Sequence, residues 1–174
     1  INGNADLTPA DEKDLAAIFA GLPQQKSVTA WLEYFRQRIS IFHDVSPLQM
    51  REFMLDSRAV SYRKGEVVFE KGDPGSSLFA IADGFAEVEV GPDVRIPIEQ
   101  GSIFGEVGLI SGRKRGATIR AGADAIFVEV TRTAALKLMA AVPGAKRAIN
   151  RISLERQLLQ IFKGGLTVQD LAEV

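Results

Sequence analysis

One short segment of the chain combines a glycine, a carboxylate and an arginine at a spacing suited to holding an anion beside a hydroxyl group. Gly105 and Glu106 stand at the start of a short helical pattern, residues 106–110, and Arg115 follows after a Ser-Gly turn. Backbone N–H groups at a helix start, joined by a guanidinium from the next loop, suit a phosphate. A carboxylate does not favour a phosphate by charge, so it is better explained as an acceptor for a sugar hydroxyl. A phosphate beside a ribose hydroxyl indicates a nucleotide.

The segment resembles the phosphate-binding cassette of the cyclic nucleotide-binding domain family. That family typically has Phe-Gly-Glu, a short apolar helix, a loop ending in Pro-Arg, and then small residues, Thr or Ser, and a strand; residues 104–121 follow this order. They depart from it at Lys114, where the family usually has proline, and at Gly116, usually Ala, Ser or Thr. Residues 63–84 are similar to the family's glycine-rich strand pair. The resemblance covers roughly residues 40 to 160, and a match in several parts is more specific than a lone glycine motif.

The resemblance implies a mainly β fold with flanking helices, an eight-stranded antiparallel β-roll of jelly-roll type with helices before it and two after it. It implies cAMP as the ligand, with cGMP as the second choice. The ligand-binding residues that it implies are Gly105, Glu106, Val107, Arg115, Gly116, Ala117 and Arg156.

The resemblance also implies which residues bind each part of the ligand. Arg115 and the N–H groups of residues 105–106 and 116–117 bind the phosphate, and Glu106 binds the ribose. In some bacterial channel members, an arginine from a Leu-Glu-Arg run on the final helix lies over the base, and Arg156 ends such a run here. Ile152 and Leu159 are the alternatives. In the family, cGMP selectivity often follows a threonine directly after the cassette arginine; position 116 is glycine, which favours cAMP.

Composition excludes several classes of function. The chain has 174 residues and a net charge of −1, which gives no general reason to bind nucleic acid or a membrane. It has no cysteine and a single histidine, His43, which argues against disulfides, thiol chemistry, a zinc site and a histidine-based triad. We find no nucleophile–base pair, signal peptide or apolar run of membrane-spanning length. We therefore predict a cytoplasmic protein that is not an enzyme.

Helical patterns occupy both ends of the chain and strand patterns its middle. Thr8-Pro9 and Ser46-Pro47 are helix starts, and apolar spacing predicts a helix over residues 28–42. Short runs rich in Val, Ile and Phe predict strands at residues 67–69, 78–81, 86–90, 94–98, 118–121 and 126–130. Residues 72–75 are interpreted as a hairpin turn. Residues 131–141 and 145–163 are predicted to be helical.

These patterns give a predicted organisation and a predicted function. We expect a helical linker or dimerisation segment at residues 1–45, a ligand-binding domain with its lid helix at residues 46–163, and a tail or the start of a further segment at residues 164–174. The predicted function is a cAMP-preferring sensor whose final helix controls an attached effector, such as an ion channel or an enzyme. The predicted partners are that effector and a second copy bound through the N-terminal helices, with no nucleic acid or membrane bound by this chain.

Two alternatives stay open at this point. One is the sensor half of a DNA-binding transcription regulator whose helix-turn-helix is absent from this chain. The other is an interaction domain that has lost its ligand.

Overall fold

The computed structural model describes residues 8–163 as helices flanking two β-sheets. The helices are α1 (Pro9–Phe19), α2 (Val28–Arg38), α3 (Pro47–Leu55), α4 (Glu106–Ser111), α5 (Arg132–Ala141) and α6 (Pro143–Lys163). The strands are β1 (Ser57–Tyr62), β2 (Val67–Phe69), β3 (Leu78–Asp83), β4 (Ala86–Gly91), β5 (Val94–Ile98), β6 (Ile103–Phe104), β7 (Ile119–Ala121) and β8 (Ala125–Val130). The predicted tail, residues 164–174, lies outside the described residues.

Serine and threonine caps fix where several helices begin. The side-chain oxygens of Thr8, Ser27, Ser46 and Thr131 each accept a backbone N–H from the first turn of the helix that follows. At Ser46 the bond is reciprocated, because the Gln49 side chain accepts the Ser46 N–H. These caps satisfy N–H groups that have no partner within the helix, so the predicted starts at Thr8 and Ser46 are confirmed.

The second helix ends earlier than its apolar spacing predicts. The prediction of one helix over residues 28–42 is wrong, because α2 ends at Arg38 and Ile39 has extended backbone angles. Residues 40–42 form a 3-10 turn instead. Ser40 donates both its N–H and its hydroxyl to the Gly101 carbonyl, 2.9 Å away in each case, which holds this turn against the loop before β6. At the other end of the chain, α6 begins at Pro143 rather than at residue 145.

The strands form two four-stranded sheets with orders β1-β8-β3-β6 and β2-β7-β4-β5. Every pairing is antiparallel, which confirms the predicted β-roll. Two strands were not predicted from the sequence: β1, and β6 with only two residues. The interpretation of residues 72–75 as a hairpin turn is wrong, since the strands on either side, β2 and β3, belong to different sheets.

Side-chain alternation along β3 creates two cores. Leu78 and Ala80 face the helices, whereas Phe79 and Ile81 face the other sheet, as expected because successive strand residues point to opposite faces. The helical core includes residues from α1, α2, α3, α5 and α6, so the N-terminal helices pack in one cluster with the final helix. Asp44 lies against the start of α6, where a Cβ at Gly144 would collide with its carboxylate. The domain boundary at residue 45 stays a prediction.

Candidate ligand-binding site

The cassette is built where β6 ends and α4 begins, beside the residues that precede β3. Gly105 caps α4 with φ of 83°, a left-handed conformation that favours glycine. A Cβ at this position would also lie 2.8 Å from the Ser77 carbonyl oxygen and 2.9 Å from Arg115 Nη1. Glycine is therefore required here on two grounds, and it allows the guanidinium to lie directly against the backbone.

Arg115 is buried among neutral hydrogen-bond acceptors. Its side chain donates from Nη1 to the Gly105 carbonyl at 3.3 Å, and from Nη2 to the Ser77 carbonyl and hydroxyl, both at 3.1 Å. The residue is only 6% exposed, and its guanidinium carbon lies 4.2 Å from the Phe69 ring centroid. A guanidinium has five N–H donors, so some donors, and a positive charge to which no carboxylate is bonded directly among the described residues, are left for an anion.

The loop between β2 and β3 closes around the same arginine. The Arg115 carbonyl accepts the Gly72 N–H at 2.7 Å, and the Arg115 N–H donates to the Asp73 carbonyl at 2.9 Å. A Cβ at Gly75 would lie 3.0 Å from Arg115 Nε. Burial lowers the pKa of the Arg115 guanidinium, while nearby carboxylates, Glu129 first among them, oppose that shift. Because arginine starts from a very high pKa, it stays charged.

Glu106, the other charged group of the cassette, is held by the final helix. It is 2% exposed, and its Oε2 accepts a hydrogen bond from Arg156 Nη1 at 2.7 Å. Arg156 also donates from Nη2 to the Ile103 carbonyl at 2.5 Å. An ionised carboxylate offers about four acceptor positions on its two oxygens, so Oε1 can accept a hydroxyl while Oε2 keeps Arg156.

The structure brings the predicted residues together in two pairs, Gly105 with Arg115 and Glu106 with Arg156. Gly116 and Ala117 follow Arg115, and among the described residues their N–H groups donate to no backbone carbonyl. Val107 lies on α4 and is 41% exposed.

The placement of Arg156 bears on its predicted role. Its guanidinium bonds to Glu106, the carboxylate that the family resemblance predicts to bind the ribose. Stacking of Arg156 on the base stays a prediction. Of the two alternatives, Ile152 is partly buried against the helical core, and the Leu159 side chain lies outside the described part of the chain.

Three residues that the sequence did not indicate complete the arginine site. Ser77 supplies two acceptors, and Gly75 and Gly108 supply space. A Cβ at Gly108 would lie 2.7 Å from the Gly75 carbonyl oxygen, so these two glycines let the loop pack on α4. The signal for Gly75 and Ser77 was the glycine-rich run before β3, which we interpreted as a turn, whereas Gly108 lies within the cassette helix α4.

The family comparison agrees with this geometry. Residues 59–142 match the family model described as a cyclic nucleotide-binding domain. These residues form a cyclic nucleotide-binding domain. The match includes Gly105, Glu106 and Arg115, and it ends before α6 begins.

Two curated relatives contain segments similar to this chain within longer proteins. A putative potassium channel protein of Rhodopseudomonas palustris is 30% identical over 118 residues, which cover 66% of this chain and 29% of the relative. A cAMP-dependent protein kinase regulatory subunit of Blastocladiella emersonii is 33% identical over 94 residues, covering 51% of this chain and 23% of the relative. The chain thus spans less than a third of the length of either protein.

Solved structures share the fold of the cyclic nucleotide-binding domain. The cAMP-bound PfPKA-R superposes with a TM-score of 0.64 at 24% identity, covering 82% of this chain and 51% of that chain. The PKAR CBD2 domain bound to Sp-2Cl-cAMPS superposes with a TM-score of 0.61 at 23% identity, covering 80% of this chain and 93% of that chain. Within residues 8–163, no helix combines the length and apolar character that crossing a bilayer requires.

Proposed function

We propose that this chain is a sensor of cyclic mononucleotides, with cAMP as its ligand, that regulates an attached effector. One observation carries the proposal: a buried arginine with neutral partners lies in the same cassette as a buried carboxylate bonded by the final helix. The family match over these residues supports the ligand class. The curated relatives, named as a channel and as a kinase regulatory subunit, support an effector of one of these two kinds.

In the proposed complex, each part of the nucleotide has its own contacts. The phosphate binds to Arg115 and to the N–H groups at residues 105–106 and 116–117. Since Arg115 is already desolvated and held in place, little ordering cost remains when the anion arrives. The ribose hydroxyl donates to Glu106 Oε1, and the base lies under α6, against Arg156 or Ile152.

Movement of α6 is the proposed output. Because α6 and the ribose use the same carboxylate, the free energy of ligand binding depends on where α6 lies, and the position of α6 depends on the ligand. The N-terminal helices are coupled to the same event, since they share a core with α6 and Asp44 lies against its first turn.

We propose that the chain has a regulatory and not a catalytic role, and that it acts in the cytoplasm. The relatives' names support a regulatory role, and the effector is the proposed covalent partner. A homodimer through α1 and α2 stays a prediction, which sedimentation of the free chain would test.

Calorimetry with cAMP tests the proposed function directly. The protein is first unfolded and refolded to remove any nucleotide that co-purifies with it. We expect micromolar or tighter binding and a rise in the melting temperature, because a ligand that binds only the native state stabilises it. Adenosine is the matched probe without a phosphate and should bind far more weakly. No heat and no thermal shift at millimolar cAMP would overturn the proposal.

A further inference from the structure

A carboxylate lies one hydroxyl group away from the phosphate-site arginine. Ser77 Oγ accepts a hydrogen bond from Arg115 Nη2 at 3.1 Å and donates its own hydrogen to Glu129 Oε2 at 2.8 Å. Within the described residues, no carboxylate is bonded directly to Arg115. The other oxygen of Glu129, Oε1, accepts from Arg58 Nη1 at 3.4 Å.

Strand alternation explains why these groups meet. Glu129 follows Phe127 at the same parity along β8, and Ser77 precedes Phe79 at the same parity, so all four share the face that points towards the other sheet. In the β3–β8 ladder, Phe79 and Glu129 stand directly opposite each other. Ser77 is the diagonal neighbour of Glu129, close enough for a polar contact across the pair.

The chemistry of a hydroxyl makes this arrangement directional. A serine hydroxyl has a single hydrogen, so donating it to Glu129 leaves only lone pairs to face Arg115. The ionised groups at both ends strengthen the two bonds. A carboxylate bonded directly to Arg115 would use the donors and charge that an anion needs. Through the intervening hydroxyl, Glu129 orients the guanidinium without using the N–H donors that an anion needs.

We propose that Ser77 and Glu129 are positioning residues for the arginine that binds the cyclic phosphate. Glu129 fixes the direction of the Ser77 hydroxyl, and the hydroxyl holds the Arg115 guanidinium in its binding orientation before the ligand arrives. Arg58, 73% exposed at its side chain, bonds the other oxygen of this carboxylate and makes no hydrogen bond to Ser77 or Arg115 among the described residues. The inference rests on the proposed function, in which Arg115 binds the phosphate.

The test compares the cAMP affinities of Ser77→Ala, Ser77→Thr and wild type. Loss of the hydroxyl in Ser77→Ala should weaken cAMP binding about tenfold, near the lower end of what one hydrogen bond to a charged group contributes. Ser77→Thr keeps a hydroxyl on the same carbon and should bind within about threefold of wild type. Glu129→Gln should weaken binding less than Ser77→Ala, while Arg58→Gln, the matched control, should leave it unchanged.

A second measurement separates positioning from general stability. Nitrogen-15 NMR of the Arg115 guanidinium in the ligand-free protein reports whether rotation of its Nη groups is hindered. We expect hindered rotation in wild type and Ser77→Thr, and faster rotation in Ser77→Ala, each measured well below the melting temperature of that protein. Wild-type affinity and wild-type rotation in Ser77→Ala would overturn the positioning role.

The proposed function and the positioning role fail in different ways. If Arg115→Leu binds cAMP as wild type does, Arg115 is not the phosphate ligand and the proposed function loses its main contact. If Arg115→Leu is impaired and Ser77→Ala is not, only the positioning role is wrong.

Discussion

The two charged groups of the cassette are fixed by different parts of the molecule. Arg115 is bonded to Ser77 and Gly105, beside the first residues of β3 and the end of β6, and its guanidinium lies over the ring of Phe69 of β2. Glu106 is bonded to Arg156, from the helix that follows the β-roll. The proposed phosphate half therefore belongs to the two sheets and their loops, whereas the proposed ribose half is completed by α6.

Because of this difference, we expect some substitutions to change ligand affinity and others to change the position of α6. A change at Arg115 should weaken ligand binding and leave α6 in place, since Arg115 makes no bond to that helix among the described residues. A change at Glu106 should affect both the ligand and α6. A change at Arg156 should act mainly on α6. Three measurements test this division, and two on nucleotide selectivity follow, taken from the largest expected effect to the smallest.

Arg115→Leu should be the most damaging single change to binding. It removes the cationic partner of a desolvated phosphate, which costs roughly 2–5 kcal/mol of binding free energy. Calorimetry of the refolded protein with cAMP measures the loss. Arg113→Leu is the matched control, because Arg113 lies exposed in the same loop. Hydrogen exchange of α6 in the ligand-free protein should match wild type, and faster exchange there would show that the two halves are not separate.

Glu106→Ala should weaken cAMP binding by roughly 1.5–3 kcal/mol, the value of a hydrogen bond to a charged group. It should also speed hydrogen exchange in α6 of the ligand-free protein, because Arg156 loses its carboxylate. Glu155→Ala, at an exposed position on α6, is the control. A loss of affinity with unchanged exchange would mean that the bond to Arg156 does not hold the helix.

Arg156→Ala should have a smaller effect on affinity, about 1 kcal/mol, because Glu106 keeps its other acceptor positions for the ribose. Its main effect should be on α6, where hydrogen exchange becomes faster without ligand and no longer slows when cAMP is added. Arg151→Ala is the matched control, an exposed arginine on the same helix. If cAMP still slows exchange across residues 145–158 in Arg156→Ala, another contact couples α6 to the ligand.

The sequence predicted the local features of the site but not its long-range contacts. The caps at Thr8 and Ser46 are local signals, and the cassette from Gly105 to Arg115 is one continuous segment. The bond from Arg115 to Ser77 spans 38 residues and the bond from Arg156 to Glu106 spans 50. Contacts at such separations depend on how strands and helices pack. The end of α2 was missed for the same reason, since Ser40 bonds to Gly101, 61 residues away.

In the proposed complex the base is bound by neither Arg115 nor Glu106, and nucleotide selectivity should give the smallest effect. Position 116, directly after Arg115, is an exposed glycine without a hydroxyl to bond the guanine amino group. The nearest hydroxyl in sequence, on Thr118, accepts the Lys71 N–H at 3.0 Å. We therefore expect cAMP to be preferred over cGMP by about tenfold or less, since one hydrogen bond is worth roughly 0.5–1.5 kcal/mol. Competition of both nucleotides against a fluorescent analogue measures the preference.

The substitution Gly116→Thr tests whether residue 116 determines the choice between cAMP and cGMP. A Cβ at residue 116 meets nothing within 4 Å, and the backbone there is not in the left-handed region, so threonine fits without strain. Its hydroxyl should raise cGMP affinity by up to about tenfold and leave cAMP affinity nearly unchanged. Gly116→Ala adds the Cβ alone and should change neither. If wild type prefers cGMP, or if Gly116→Thr behaves as Gly116→Ala does, a group outside the cassette sets the choice of base, and α6 is the first element to examine.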